Sequence, residues 1–228
     1  MTAAEGATLP RVLVTGGNGF IGREVCRRAV EAGHAVVGLA RRGRPAGAEA
    51  WMDRVEWVAA DVLDPGAWRV HLDGCGAVIH CVGIIAENRK SGATFERVNG
   101  DSAIAAAEEA ERAAVGAFVF ISASALPPGV GAGYIQAKRR AEDRIHRLAP
   151  RAVILRPGFV YGTGRLPSLP LAALIQLATY LPVVGAGARG SRPLPVETVA
   201  RAALRGATDA AVQGVLDIDA IERLGGSA

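Results

Sequence analysis

The sequence is poor in aromatic side chains and has no concentrated basic stretch. Aromatic residues make up 5% of the 228 positions, and the net charge is only +4. A nucleic-acid-binding surface needs clustered basic residues, interleaved with aromatic rings on which bases can stack. We therefore expect no nucleic-acid partner.

Cysteine and histidine are also scarce. The three cysteines, Cys26, Cys75 and Cys81, are odd in number and widely separated, and the four histidines are equally dispersed. Neither set has the close spacing of metal ligands, so the sequence predicts no metal site. Unpaired cysteines are typical of proteins in a reducing compartment, and we expect a cytoplasmic location.

Long apolar runs are absent as well. No stretch of about 18 uninterrupted apolar residues occurs, so we expect no transmembrane span. The first ten residues lack the apolar centre of a secretory signal and the arginines of an organelle transit peptide. These features predict neither a membrane span nor a targeting segment.

The chain does contain short apolar runs that alternate with longer helical patterns. Half of its residues are hydrophobic, which is enough for one substantial core. The alternation predicts an α/β fold, a Rossmann-type doubly wound parallel sheet with a small C-terminal elaboration. We expect residues 1–228 to form a single domain, in which residues 157–228 supply the reduced C-terminal lobe. The predicted strands cover residues 11–15, 34–40, 55–60, 77–82, 117–122, 152–156 and 212–218, and the predicted helices cover residues 19–32, 65–72, 95–114, 134–148, 170–181 and 196–208.

A glycine-rich turn follows the first predicted strand. Gly16 permits a sharp turn, Gly19 a close approach of a pyrophosphate, and Gly22 tight packing of the helix on the sheet. Phe20 and Ile21 lie between the last two glycines, where the helix begins and its unpaired N–H groups attract phosphate. This position between strand and helix indicates a dinucleotide site. A tight turn without a ligand is the alternative.

The end of the second predicted strand bears on which dinucleotide binds. NAD-specific sites have an acidic residue there, which binds the ribose 2′-hydroxyl. This strand ends instead in Arg41 and Arg42, whose planar guanidinium groups can hold a 2′-phosphate. NADP(H) is therefore favoured as the cofactor. NAD(H) is the alternative, with the two arginines forming a solvated basic loop.

A tyrosine and a lysine share one face of a predicted helix. Tyr134 and Lys138 are four residues apart, which brings their side chains together. Only one other lysine, Lys90, occurs in this arginine-rich chain. We expect the ammonium group of Lys138 to lower the pKa of the Tyr134 phenol. The phenol could then exchange a proton with a substrate hydroxyl or carbonyl.

Together these motifs resemble the short-chain dehydrogenase/reductase superfamily, in its extended and atypical, NAD(P)-dependent epimerase/dehydratase-like branches. The resemblance covers nearly the whole chain and is carried by residues 15–22, 61–62, 77–83, 118–124, 134–138 and 155–162. It implies adenine contacts from Asp61 and Val62, a cofactor-lining wall of Cys81, Val82 and Gly83, and a nicotinamide-side loop at Pro157 and Gly158. Without the resemblance, the acid could equally cap a helix and the Pro-Gly pair could be an ordinary turn.

Three C-terminal segments narrow the resemblance. Residues 181–185, 192–196 and 214–218 are similar to a small atypical group that is associated with coenzyme Q synthesis. The quinone-linked subunit of respiratory complex I that carries this fold is a more distant relative of that group.

The chain departs from the superfamily pattern at the catalytic serine. The resemblance implies a Ser-Ser pair at the end of the fifth strand, with the second serine catalytic. An ungapped match places Ala123 at that position, between Ser122 and Ser124. Either neighbouring serine could substitute, or the oxyanion-positioning role is weakened.

A long uncharged segment follows the sixth predicted strand. Residues 166–181 carry no charge and lie where extended relatives build the substrate pocket. They would suit an apolar substrate such as an isoprenoid quinone precursor. Peripheral contact with a membrane surface is a second interpretation, although the segment lacks the basic face of such helices. A core or dimer-contact helix is the third.

The leading hypothesis is an NADP(H)-dependent oxidoreductase that acts on an apolar carbonyl or alcohol. Tyr134 would be the general acid/base, and Lys138 would hold the ribose and tune the phenol. The alternative is a nucleotide-binding accessory subunit with little turnover, in quinone metabolism. Epimerase or dehydratase action on a nucleotide sugar would need a larger C-terminal lobe. The sequence leaves open a homodimer or membership of a larger complex.

Overall fold

The computed structural model describes residues 9–127, 129–149, 151–162 and 192–226, and a parallel β-sheet forms its centre. The strands in chain order are β1 (Arg11–Thr15), β2 (Val36–Ala40), β3 (Val55–Ala59), β4 (Cys75–His80), β5 (Ala117–Ile121), β6 (Ala152–Leu155), β7 (Val160–Tyr161), β8 (Leu194–Pro195) and β9 (Gly214–Leu216). Seven of them pair in the order β3-β2-β1-β4-β5-β6-β9, and β7 pairs separately with β8. The predicted strands agree with these bounds to within two residues.

Helices cover both faces of the sheet. They are α1 (Phe20–Glu31), α2 (Ser102–Arg112), α3 (Gly133–Leu148), α4 (Val196–Thr208) and α5 (Ile218–Gly225). On one face, Val25 of α1 and Val199 of α4 belong to the same buried cluster. On the other face, Ala107 of α2 and Ile145 of α3 pack over β4 and β5. This arrangement confirms the predicted Rossmann-type α/β fold.

Burial on both faces explains why the strands are apolar throughout rather than alternating. All five residues of β5 are buried, as are the four residues of β6. Because every pairing in the main sheet is parallel, the carboxyl ends of its strands meet at one edge. The strand order reverses between β1 and β4, and in such sheets the crevice at this reversal is where ligands bind.

The structure differs from the predicted elements in several places. The predicted helix 95–114 opens as a π-helix, Glu96–Asp101, and only then becomes α2. The predicted helix 65–72 is two 3₁₀ turns. The last predicted strand, 212–218, is shorter than expected, and α5 was not predicted at all. Asp217 begins α5, since its Oδ1 accepts from the Ala220 N–H at 2.8 Å. The predicted helix 170–181 lies outside the described residues.

Two further observations concern the described part of the chain only. None of its helices is long and apolar enough to cross a membrane. Its three cysteines are free thiols, and within the same residues no three histidine, cysteine or acidic side chains are grouped as a metal site would require.

The tight crossing of β1 and α1 gives a test of the fold. A Cβ atom on Gly22 would lie 2.2 Å from the Gly16 carbonyl oxygen, so Gly22→Ala must push α1 away from the sheet. We expect the free energy of unfolding in urea to fall by at least about 2 kcal/mol. Gly66→Ala is the control, because its Cβ would meet nothing closer than 3.5 Å. Equal unfolding free energies for the two variants would contradict this account of the turn.

Candidate active site

Two adjoining clefts lie at the carboxyl edge of the sheet. The larger has a volume of about 670 Å³ and the smaller about 280 Å³, and both are lined by Gly19 and residues 81–84. The larger cleft brings together the predicted residues Phe20, Ile21, Ser122, Ser124, Tyr134, Lys138, Pro157 and Gly158. The smaller cleft brings together Gly16, Arg41, Arg42, Asp61 and Val62. Of the predicted site residues, only Gly22 lines neither, because it packs beneath the turn.

The glycine turn packs so closely against the segment after β4 that Gly16 has no room for a side chain. Gly16 has a φ of +70°, and a Cβ there would lie 3.0 Å from the Cys81 carbonyl carbon and the Val82 nitrogen. Gly19 precedes α1, and no side chain caps that helix. A helix N-terminus without a side-chain cap suits the binding of phosphate.

The smaller cleft has a cationic end. Arg41 and Arg42 are exposed, and neither guanidinium has a hydrogen bond or ion pair to the described residues. Arg44, nearby in the chain, is different because its Nη1 lies 2.6 Å from Asp53. Asp61 accepts a hydrogen bond from the Leu63 N–H at 3.0 Å. The acid therefore shapes the local turn as well as lining the cleft.

Tyr134 lies in the first turn of α3, in an apolar setting. Its ring makes an edge contact with Phe95, at 5.7 Å between ring centroids, and packs in one cluster with Ala123. Burial raises the pKa of the Tyr134 phenol, and the charge of Arg139 opposes that shift. The expectation that this pKa is lowered is therefore wrong, because the loss of water on burial outweighs the charge of Arg139.

Lys138 is buried one turn further along α3. Its Nζ donates to the Ile121 carbonyl oxygen at 2.7 Å and lies 4.7 Å from the centre of the Phe120 ring. Burial lowers the pKa of Lys138 to about 8. The ammonium is thus fixed at the end of β5, on the floor of the larger cleft.

The two candidate serines have different surroundings. Ser122 donates its hydroxyl proton to Glu142, so that proton is not directed at the cleft. Ser124 lines the cleft, and its backbone N–H donates to the Pro157 carbonyl oxygen at 2.9 Å. Ala123 offers no hydroxyl beside Tyr134. The serine roles predicted from the sequence remain predictions.

A buried ion cluster supports the side of the larger cleft that residues 121–124 form, and the sequence analysis did not predict it. The carboxylate of Glu142 in α3 accepts hydrogen bonds from Ser122, Arg139 and Arg156. Burial would raise the pKa of Glu142, but these donors together hold it below its usual value. Arg139 also donates to the Ala123 carbonyl oxygen at 2.9 Å. The ends of β5 and β6 are thereby joined to the helix that carries Tyr134.

Asn99, on the π-helix, fixes the wall between the two clefts. Its Oδ1 accepts from the Ile84 N–H at 2.7 Å, and its Nδ2 donates to the Ile84 carbonyl oxygen at 2.9 Å. The side chain is fully buried, so these two bonds satisfy an amide that would otherwise be costly to bury. The sequence signal for this contact was an asparagine inside the predicted helix 95–114, and the sequence analysis did not use it.

His80 connects β4 to both neighbouring segments beneath the clefts. Its ring nitrogens lie 2.8 Å from Thr15 Oγ1 and 3.2 Å from Ser102 Oγ. Ser102 donates to the Val98 carbonyl oxygen, so Nε2 of His80 donates to Ser102 and Nδ1 accepts from Thr15. Burial and the charge of Lys138 lower the pKa of His80 to about 3, which keeps the ring neutral.

The arrangement separates two capacities. At one end are a helix N-terminus and free guanidinium groups, which suit phosphates. At the other, a phenol and an ammonium face a cleft lined mainly by apolar side chains, where a proton can be exchanged away from bulk water. The glycine turn and residues 81–84 connect these ends.

Comparison with known proteins agrees with this geometry. A ceramide reductase of Caulobacter vibrioides is 35% identical over 78% of this chain, and a protein of Saccharomyces cerevisiae named MIOREX complex component 2 is 30% identical over 69%. The chain spans 55% of the length of the reductase and 75% of that of the yeast protein. A UDP-glucuronic acid 4-epimerase from Bacillus cereus, solved with NAD, has the same fold: the TM-score is 0.66 and the identity 19%, covering 91% of this chain and 76% of that one.

The family assignment rests on a match that covers most of the chain. The sequence pattern of the NAD dependent epimerase/dehydratase family matches residues 12–180, which include the glycine turn, Tyr134 and Lys138. This match confirms the resemblance inferred from the motifs, and the chain belongs to the NAD dependent epimerase/dehydratase family.

Proposed function

We propose that the chain is an NADP(H)-dependent oxidoreductase of the short-chain dehydrogenase type, acting on an apolar carbonyl or alcohol. The observation that carries this proposal is the junction of the two clefts at residues 81–84, with Arg41 and Arg42 at one end and Tyr134 and Lys138 at the other. A single extended dinucleotide could reach both ends from the glycine turn.

The cofactor preference rests on the smaller cleft. Arg41 and Arg42 have no ion-pair partner among the described residues, and the end of β2 carries no acid for a ribose 2′-hydroxyl. A 2′-phosphate would supply the negative charge that these two guanidinium groups lack. Gly16, Gly19 and the N-terminus of α1 would hold the pyrophosphate, with Asp61 and Val62 beside the adenine.

The chemistry at the other end would need one proton donor. A bound nicotinamide would supply or accept the hydride. Tyr134 would give its phenolic proton to the substrate oxygen, or take it in the reverse direction. Lys138 would hold the ribose and favour the phenolate by its charge. Burial raises the pKa of Tyr134 and so favours the neutral phenol, which is the form that would donate a proton during reduction.

An apolar substrate fits the lining of the larger cleft. Ile84, Ile85, Ala125, Pro127 and Phe159 supply hydrocarbon surface around Tyr134. The relative from Caulobacter is named a reductase of ceramide, a lipid. A substrate with a carbonyl or hydroxyl group on a long hydrocarbon chain would therefore match both the lining and that name.

A second function is favoured by one specific observation. Ala123 replaces the serine implied by the family resemblance, and the hydroxyl of Ser122 is engaged by Glu142. A nucleotide-binding accessory subunit would need the phosphate-binding end of the clefts but not a substrate hydrogen bond. The yeast relative is named as a component of a complex.

The cofactor proposal gives the first functional prediction. Titrations by calorimetry should show tighter binding of NADPH than of NADH. Arg41→Ala should weaken NADPH binding by about 1.5–3 kcal/mol and leave NADH unaffected, because one charged hydrogen bond is removed. Arg44→Ala is the matched control, since that side chain is already paired with Asp53. Tighter binding of NADH to the wild type would contradict NADP specificity.

The proton-transfer proposal concerns Tyr134. Tyr134→Phe keeps the packing against Phe95 and removes only the hydroxyl. It should lower turnover of a long-chain ketone by a factor on the order of 10²–10⁴ with NADPH affinity nearly unchanged. An accessory subunit predicts no NADPH oxidation against a panel of carbonyls and quinones. It also predicts that Tyr134→Phe has no effect in cells, whereas variants that cannot bind the nucleotide do have an effect.

Burial of Lys138 predicts a dependence of stability on pH. Its pKa is about 8 in the folded chain and 10.5 when exposed. Between these values the unfolded chain binds more protons, so the free energy of unfolding gains a contribution as pH rises. The stability of Lys138→Met relative to wild type should therefore fall between pH 7 and pH 10. Lys90→Met, at an exposed lysine that lines neither cleft, is the matched control. Parallel pH profiles for Lys138→Met and wild type would contradict the shift.

A further inference from the structure

A third unpaired arginine lines the smaller cleft, from a different part of the chain. Arg97 is the second residue of the π-helix Glu96–Asp101, and its side chain is exposed. It lines the 280 Å³ cleft together with Arg41 and Arg42. Its guanidinium group has no hydrogen bond or ion pair to any described residue.

Other arginines show that this lack of partners is not general. Arg140 Nη2 lies 2.5 Å from Oδ1 of Asp101, in the same π-helix, and Arg23 Nη2 lies 2.7 Å from Oε2 of Glu49. Among the described residues that line the smaller cleft, by contrast, there are three guanidinium groups and one carboxylate. That carboxylate, Asp61, already accepts a hydrogen bond from the backbone. Like charges converging on a concave surface create a field that attracts an anion.

The backbone that carries Arg97 is firmly held. Asn99, two residues later, is bonded to both backbone groups of Ile84, and the Arg97 N–H donates to Thr94 Oγ1 at 3.2 Å. Gly92 also lines the cleft, and a Cβ there would lie 3.7 Å from Arg97 Nη1. The guanidinium group of Arg97 therefore lies against residues 91–93, which line the same cleft.

We propose that Arg97 is a phosphate-binding residue of the cofactor site, supplying a third guanidinium group to the dinucleotide. The proposal rests on the proposed binding of NADP(H) and adds a contact from the π-helix side. The glycine turn and α1 bind the pyrophosphate through backbone N–H groups, whereas Arg97 contributes a charge that can reach a phosphate from another element. It extends cofactor recognition beyond the end of β2.

The test measures binding rather than turnover. Arg97→Met keeps the apolar stem of the side chain and removes its charge. Calorimetric titration with NADPH, NADH and 2′,5′-ADP should show a loss of affinity of at least about tenfold for NADPH. An equal loss for NADH assigns the contact to the pyrophosphate. A loss confined to NADPH and 2′,5′-ADP assigns it to the 2′-phosphate. The effect should shrink at high salt, because the contact is charged and partly exposed.

Arg89→Met is the matched control. Arg89 belongs to the 3₁₀ turn Arg89–Ser91 before the π-helix, its side chain is 83% exposed, and it lines neither cleft. Unchanged affinities in Arg97→Met, or equal losses in both variants, would overturn the proposal and leave NADP(H) binding intact. A wild-type protein that binds none of the three nucleotides would overturn the cofactor proposal and this one together. A wild type that prefers NADH would overturn NADP specificity alone, and the NADH titration of Arg97→Met would still decide the role of Arg97.

Discussion

The candidate active site depends on one buried carboxylate. Glu142 has only 3% of its side chain exposed, yet the hydrogen bonds of Arg139, Arg156 and Ser122 keep it ionised. Those donors come from α3, from the end of β6 and from the end of β5. A buried charge tolerates little displacement of its partners, because each lost bond leaves part of that charge unsolvated. The three segments around the larger cleft are therefore held in one relative position.

The features that the sequence predicted well are encoded locally. Each strand appears as a run of apolar residues, since both faces of a parallel sheet are covered. The glycine turn is recognisable because Gly16 and Gly22, six residues apart, pack directly against each other. Tyr134 and Lys138 are recognisable as a pair because a spacing of four residues is about one turn of an α-helix. These signals need no knowledge of distant segments. In the structure, the cleft residues that these signals identified lie together at one edge of the sheet.

The features that were missed depend on contacts between distant segments. Glu142 meets Ser122 across 20 residues, Asn99 meets Ile84 across 15, and His80 meets Thr15 across 65. No periodicity marks such pairs. The pKa of Tyr134 was predicted in the wrong direction for a related reason: the neighbouring lysine is visible in the sequence, whereas loss of water depends on the packing of Phe95 and Ala123.

The same network explains how a chain with Ala123 can keep an ordered site. Ser122 is occupied as a donor to Glu142, and the carbonyl oxygen of Ala123 is held by Arg139, so the wall beside Tyr134 is fixed through backbone and buried charge. A serine at position 123 would add a hydrogen-bond donor to the cleft, but the shape of the cleft does not require it. In the proposed function, phosphate would be bound by Gly16, the N-terminus of α1 and the arginines of the smaller cleft, whereas this wall lines the larger cleft. Under that proposal, the missing hydroxyl would affect the chemistry at the substrate oxygen and not the binding of the nucleotide, so binding and turnover must be measured separately in this protein.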